Sequence, residues 1–268
     1  MIERRLRSLR DGAGRTAIDV PAGAGKMSAI LMGLGWKVLP FDLFPEYFTA
    51  PGLTCVKADM EQGLPLPDAS ADLIVCQEGI EHIPNQLALL REFNRILKPG
   101  GKLLITTPNI SSLQAKCSNF FMESDVFRRH EPSPLDALWL GDDERFYYGH
   151  LFLISAQKLG LLAKINGFRL VGFHRSRISW RSVFLGVLYP LSALLNLYAV
   201  AYSGWRNRRL GSSYAWAVGW EMMKTNLNPK VIFQKHMFAE FDKCSTPVEA
   251  MRELNQNARE EIGKYLGK

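Results

Sequence analysis

The stretch Thr16-Ala17-Ile18-Asp19-Val20-Pro21-Ala22-Gly23-Ala24-Gly25 decides how the rest of the chain reads. An apolar, β-prone run ends in an acid and opens at once into a small, glycine-bearing turn. Lys26 to Leu34 follows with a helix-compatible pattern, then the apolar run Trp36 to Phe41 and a second acid, Asp42. Strand, glycine turn, helix and acid-tipped strand form a βαβ unit of the kind that holds a nucleoside-bearing ligand. Gly23 and Gly25 are expected to leave room for a ligand against the backbone. Asp42 is placed to accept hydrogen bonds from both hydroxyls of a ribose.

Three ligand classes compete for the turn. A phosphate-gripping P-loop needs Gly, four residues, then Gly-Lys-Ser/Thr; here Met27 follows Gly25-Lys26 and Val20 stands where the first glycine belongs. A dinucleotide fingerprint needs G-x-G-x-x-G, and Gly23-Ala24-Gly25-Lys26-Met27-Ser28 ends in serine. Asp19 separates the classes further. A carboxylate at the mouth of the turn repels a pyrophosphate and suits a cationic ligand end. S-adenosylmethionine carries an ammonium and a sulfonium and no phosphate.

On these residues the chain resembles the class I S-adenosylmethionine-dependent methyltransferases. Asp19 to Gly25 looks like the family's first motif, with Pro21 where glycine is more usual, and Asp42 matches its ribose-binding acid. Val56-Lys57-Ala58-Asp59-Met60 is similar to the strand and loop that meet the adenine, with Asp59 facing the exocyclic amine. Ala71 to Cys76 looks like the fourth strand, and Glu78-Gly79-Ile80-Glu81-His82-Ile83 like the loop over the methionine end. Arg95 to Asn109, with Pro99-Gly100-Gly101, is close to the family's helix, turn and fifth strand. The resemblance implies a doubly wound α/β fold with a seven-stranded, mostly parallel sheet and S-adenosylmethionine as cofactor. The cofactor-binding residues it implies are Asp19, Ala22, Gly23, Gly25, Asp42, Leu43, Asp59, Met60 and Glu78.

The remaining numbers are those of an ordinary folded chain: 268 residues, 47% apolar and 22% charged, with a formal charge of +7. The charge admits anionic partners. Cys55, Cys76, Cys117 and Cys244 show no metal spacing and read as reduced thiols, with Cys55 and Cys76 expected in buried strands. The basic N-terminus lacks the apolar run of a secretory signal, so a cytoplasmic location is expected.

The cofactor-binding domain is expected over 1–176 and 228–244. Residues 110–150, rich in aromatic and charged side chains (Phe120, Phe121, Phe127, Trp139, Phe146, Tyr147, Tyr148), are the expected substrate lid. Ser155 reads as the cap of a helix that stops at Asn166-Gly167, and Phe168 to Phe173 as the sixth strand. The seventh strand is expected at Lys230 to Ala239. Thr246-Pro247-Val248-Glu249 opens a solvated C-terminal helix over 245–268.

An apolar helical insertion, 177–227, separates the sixth and seventh strands. Its centre, Val183 to Ser203, holds no charge, with Arg175, Arg177 and Arg181 before it and Arg206, Arg208 and Arg209 after it. About twenty apolar residues can span a bilayer. Strands that pair in one sheet require the chain to return to the side it left, which favours two short helices, broken near Pro190, dipped into one leaflet. Flanking arginines would meet anionic headgroups at roughly 1 kcal/mol each. A buried cap, a dimer interface and a single span are the other readings.

A hydroxyl acceptor needs a general base, and an imidazole titrates near neutral pH. His82 and His150 are the candidate catalytic residues, with His130 and Glu131 behind them; His174 and His236 read as structural. The histidines and acids lack metal-ligand spacing. The function that follows is methylation, at oxygen, of a lipid-linked glycan or amphipathic small molecule at the inner face of a membrane. RNA methylation and a non-catalytic scaffold are the alternatives. Arginines bracketing an apolar stretch, without interleaved stacking aromatics, speak against nucleic acid. Oligomeric state is left open.

Overall fold

The computed structural model describes residues 2–9, 12–124, 137–141, 144–208 and 213–266. Nine strands are seen among them. They are β1 (Thr16–Asp19), β2 (Lys37–Asp42), β3 (Val56–Lys57), β4 (Ala71–Gln77), β5 (Leu97–Pro108), β6 (Leu138–Leu140), β7 (Phe146–Tyr148), β8 (Phe168–Phe173) and β9 (His236–Lys243). Seven form one sheet in the order β3-β2-β1-β4-β5-β9-β8, and β6 pairs with β7 separately. All neighbours in the large sheet run parallel except β9, which is antiparallel to both β5 and β8. This is the doubly wound, mostly parallel sheet that the sequence implies.

Helices cover both faces because the inner strands are apolar on both sides. On one face, α1 (Ile2–Ser8) and α2 (Lys26–Gly33) bury Ile2, Leu6, Met27 and Leu31 against Ala17, Leu73 and Leu104. On the other, α3 (Gln86–Ile96) buries Leu89, Leu90 and Phe93 against Ile18, Ile74 and Ile105. After β5 come α4 (Leu113–Met122), then α5 (Ala156–Ile165), whose cap Ser155 accepts from Lys158 N as its sequence suggests. The insertion holds α6 (Trp180–Phe184), a 3-10 turn (Leu185–Leu188), α7 (Tyr189–Arg208) and α8 (Ser213–Asn226). A short α9 (Pro229–Ile232) leads into β9, and α10 (Pro247–Leu266) closes the chain behind the Thr246–Glu249 capping box.

Four expectations are corrected here. The seventh strand begins at His236, not Lys230, because Asn228 caps a helix with Pro229 in its first turn. The insertion is interrupted just ahead of Pro190, by the 3-10 turn Leu185–Leu188, but its second helix is not short: with Pro190 in its first turn it runs 20 residues to Arg208. Residues 110–150 are less irregular than expected, since they hold α4 and the β6–β7 ladder. Cys55 stands half-buried outside β3, while Cys76 is buried in β4.

One buried charge cluster ties the N-terminus to the sheet. Glu240, on β9, is fully enclosed; it accepts from Arg5 Nε and Arg5 Nη2, both at 2.6 Å, from Lys102 Nζ at 3.3 Å and pairs with His174 Nε2 at 2.6 Å. Burial alone would raise this carboxyl, but the Arg5 guanidinium and its neighbours outweigh that and hold it at about 2. A depressed acid contributes stability that is complete above its unfolded value and is lost as pH falls through the folded one. Glu240→Gln is therefore expected to cost about 3 kcal/mol at neutral pH. It should also flatten the loss of stability below about pH 4.5, both read by urea titration.

Candidate active site

The cavity opens at the C-terminal ends of β1, β2 and β4, where β1 and β4 lie side by side and the strand order reverses. Of the candidate residues, Asp42, Leu43, Asp59, Met60, Glu78 and His82 line it. Val20, Pro21, Gly79 and Ile83 supply further wall, and the β6–β7 hairpin roofs it with Trp139, Arg145, Phe146, Tyr147 and Tyr148.

Asp42 holds the glycine turn in place. Its Oδ2 accepts from Gly23 N at 2.7 Å and its Oδ1 from Phe44 N at 2.9 Å. Gly23 needs its positive φ of 51°, and a Cβ there would meet only open space. Gly25 differs: at φ 83° its Cβ would meet Phe48 and Ala50 at 2.6 Å. The space beside Gly25 is thus filled by this chain's own following loop, not kept clear for a ligand. Ala22 and both glycines form the turn without lining the cavity. Asp19 is corrected more sharply. It lies beneath the turn, fully buried, with Oδ2 accepting from Ser28 Oγ at 2.6 Å and Oδ1 without a partner. Burial pushes its carboxyl up to about 7, against the hydrogen bonds from Ser28.

The loop after β4 carries the titratable groups. Glu78, at φ 50°, pairs with His236 Nδ1 at 3.1 Å, and that bond raises the His236 imidazole. Pro21 packs on Gly79 so closely that a Cβ at Gly79 would meet Pro21 Cδ at 2.3 Å, which locks this loop to the glycine turn. His82 Nδ1 lies 2.7 Å from the carbonyl of Tyr148. A carbonyl only accepts, so Nδ1 carries the proton and neutral His82 keeps its lone pair at Nε2. The His150 ring stands 5.1 Å from that of His82, although His150 does not line the cavity.

Glu81, beside them, carries no signal of its own in the sequence. It is fully buried, accepts from Thr107 Oγ1 at 2.9 Å through Oε2, and leaves Oε1 without a partner. Burial pushes its carboxyl up to about 7. Ligand atoms of Glu81, His82 and His150 lie within 4.8 Å of one another, a group able to share a proton or hold a cation. Sequence spacing hid this set because the fold brings His150 in from a distant loop. His236, structural by its sequence context, stands on Glu78 at the start of the last strand.

Asp19 and Glu81 have a common consequence for stability. Both are raised above their unfolded values near 4, so the folded chain holds their protons across about pH 4 to 7. Stability then falls as pH rises through that window, by on the order of 3 kcal/mol for each group. Urea titration of the ligand-free chain is expected to show this decline, and Glu81→Gln should remove about half of it.

Asp59 lines the cavity with each carboxylate oxygen already holding one partner. Arg145 pairs with its Oδ2, and its Oδ1 accepts from Glu61 N at 2.9 Å. The guanidinium also lies 5.8 Å from the Tyr147 ring, which stacks on Trp139 at 5.7 Å and meets Phe44 at 5.2 Å. The roof therefore comes from the second half of the expected lid, while Phe120 and Phe121 face outward. Phe127, His130 and Glu131 lie outside the described residues.

The residues fit a ribose-bearing cofactor with a cationic end through two carboxylates that line the cavity, Asp42 and Glu78. Comparison with known proteins agrees. Residues 1–172 match a family described as a methyltransferase domain. A ubiquinone biosynthesis O-methyltransferase of Xanthomonas oryzae pv. oryzae is 32% identical over 108 residues, 37% of this chain and 45% of that one. The chain thus matches under half the length of such curated relatives. An S-adenosylmethionine-dependent methyltransferase structure from Mesorhizobium loti shares the fold with a TM-score of 0.50 at 12% identity, over 89% of this chain and 96% of that one. One from Archaeoglobus fulgidus does so with a TM-score of 0.50 at 16% identity, over 90% and 93%.

Proposed function

The chain belongs to the methyltransferase-domain family, a class I group whose cofactor is S-adenosylmethionine, and from that premise we propose that it methylates a hydroxyl of an amphipathic acceptor at a membrane surface. The observation that carries the choice of oxygen is His82, on the cavity wall with Nδ1 committed to Tyr148 and Nε2 left basic. The relatives named as O-methyltransferases support the same atom.

S-adenosylmethionine supplies a methyl group already activated on a sulfonium. The chain's part is alignment, exclusion of water and removal of one proton. Asp42 would hold the ribose hydroxyls, Glu78 the methionine end, and Leu43 and Met60 the flat base between them. His82 takes the acceptor's hydroxyl proton at Nε2 as the oxygen attacks. Glu81, with its carboxyl pushed up to about 7 by burial, lies within 4.8 Å of His82, close enough to stabilise that charge when ionised. The hairpin β6–β7 keeps the site dry with stacked aromatics.

The test is transfer of labelled methyl to total lipid, glycan and RNA extracts, with Asp42→Ala as the blank. Label is expected in the lipid or lipid-linked glycan fraction. Label in RNA alone would sink the reading.

A further inference from the structure

The insertion presents an apolar face that the rest of the fold leaves uncovered. Trp180, Phe184, Val187, Leu191, Tyr198 and Trp205 recur at helical spacing along α6, the 3-10 turn and α7. All are exposed, at 76%, 85% and 79% for the first three. The opposite side of α7 is occupied: Val200 is buried, and a Cβ on Gly204 would meet Trp216 of α8 at 2.1 Å. Asn196 and Asn226 join the two helices at 2.9 Å. The exposed face is therefore one-sided and continuous, roughly 38 Å long at 1.5 Å per residue.

Length and composition alone would let Trp180–Arg206 cross a bilayer. The fold argues for a different attitude. Both ends of the insertion belong to one sheet, through β8 and β9. The returning helix α8 has 14 residues, about 21 Å, short of a hydrocarbon core of about 30 Å, and it carries Glu221. A stripe along one side of a helix suits an axis parallel to the interface. Its two ends carry Trp180 beside Arg181 and Trp205 beside Arg206, with Tyr202 stacked on Tyr198 at 6.0 Å and tilted against Trp205 at 6.2 Å. Tryptophan and tyrosine favour the headgroup level.

Charge selects the occupant. Residues 177–227 contain six lysines and arginines and one acid. Arg175, Arg177, Arg181 and Arg206 are exposed and make no ion pair among the described residues. A second copy docked across a two-fold axis would bring these arginines against their own counterparts. Anionic headgroups are their complement.

The insertion packs, through its buried side, on the helix that leaves the active-site end of β5. α4 leaves the C-terminal end of β5, whose Thr107 holds Glu81, and it ends in Phe120 and Phe121, exposed at 82% and 77%. Gln114 staples α4 to the insertion, accepting from Ser179 Oγ at 3.0 Å and donating its backbone N–H to Ser182 Oγ at 3.2 Å.

We propose that this face docks on one leaflet of an anionic bilayer with α7 lying in the membrane plane, and that the acceptor reaches the cavity from that leaflet. The docking stands without turnover; the route of the acceptor rests on the methyltransferase reading above.

The test is flotation of the full chain with phosphatidylcholine vesicles, with and without phosphatidylglycerol. Wild type is expected to float with the anionic vesicles, less so as salt rises. Phe184→Ser combined with Val187→Ser should weaken this at least about tenfold. Arg177→Gln with Arg181→Gln and Arg206→Gln should erase the preference for phosphatidylglycerol. Calorimetry with S-adenosylmethionine reports folding, since none of these side chains lines the cavity, and unchanged binding is expected. Wild type that stays at the bottom, or a double-serine variant that floats equally well, overturns the docking. So does a dimer in vesicle-free sedimentation that the serine pair abolishes. Flotation as expected with no labelled lipid in the transfer assay overturns the acceptor's route alone.

Discussion

His82→Ala is expected to lower kcat for a hydroxyl acceptor by roughly 10²–10⁴ and to change S-adenosylmethionine affinity by less than about threefold. The expectation follows from the fixed tautomer: Nδ1–H is held by the Tyr148 carbonyl, so Nε2 is the basic nitrogen beside the cavity. The same bond ties His82 to the roof, and alanine would loosen both. His82→Asn separates the two roles. Its amide can donate to Tyr148 from near the Nδ1 position, yet it has no basic nitrogen. An equal loss in His82→Asn marks a base. Near-normal turnover in His82→Asn would reduce His82 to a strut for the hairpin.

Asp42→Ala should weaken S-adenosylmethionine binding by at least about 100-fold. Two effects add. The ribose loses its acceptor, and the glycine turn, no longer anchored through Gly23 N–H and Phe44 N–H at 2.7 and 2.9 Å, must be ordered at the expense of binding. A hydrogen bond to a charged group is worth roughly 1.5–3 kcal/mol, and each 1.4 kcal/mol is a factor of about ten. Asp42→Asn keeps one acceptor oxygen but turns an N–H toward the second donor, so a loss of about tenfold is expected. Isothermal calorimetry decides. Full affinity in Asp42→Ala would mean that the cavity is not where the cofactor sits.

Local pattern carried most of the fold. β1, α2, β2, β4 and β8 lie where their apolar runs and turn residues put them, because each is bounded by a glycine, an acid or a cap a few residues away. The last strand was placed early because the apolar run at Val231-Ile232-Phe233 reads equally well as strand or buried helix. Asn228-Pro229 resolves the ambiguity once the helix start is recognised. The site was legible where one segment supplies it, as with Asp42, Glu78 and His82.

By itself, then, the amino-acid order determined the strand–turn–helix unit, the acid at its tip, the sheet class and the uncharged insertion, all of which depend on neighbours within a few residues. Tertiary structure decided the rest. It buried Asp19 under the turn it was expected to border, filled the space at Gly25 with Phe48, and set Arg145 on Asp59. It also gathered Glu81, His82 and His150, and left one side of α7 bare. The reason is physical: titration, cavity walls and exposed faces depend on which distant segments exclude water from a group, and spacing along the chain carries no such information.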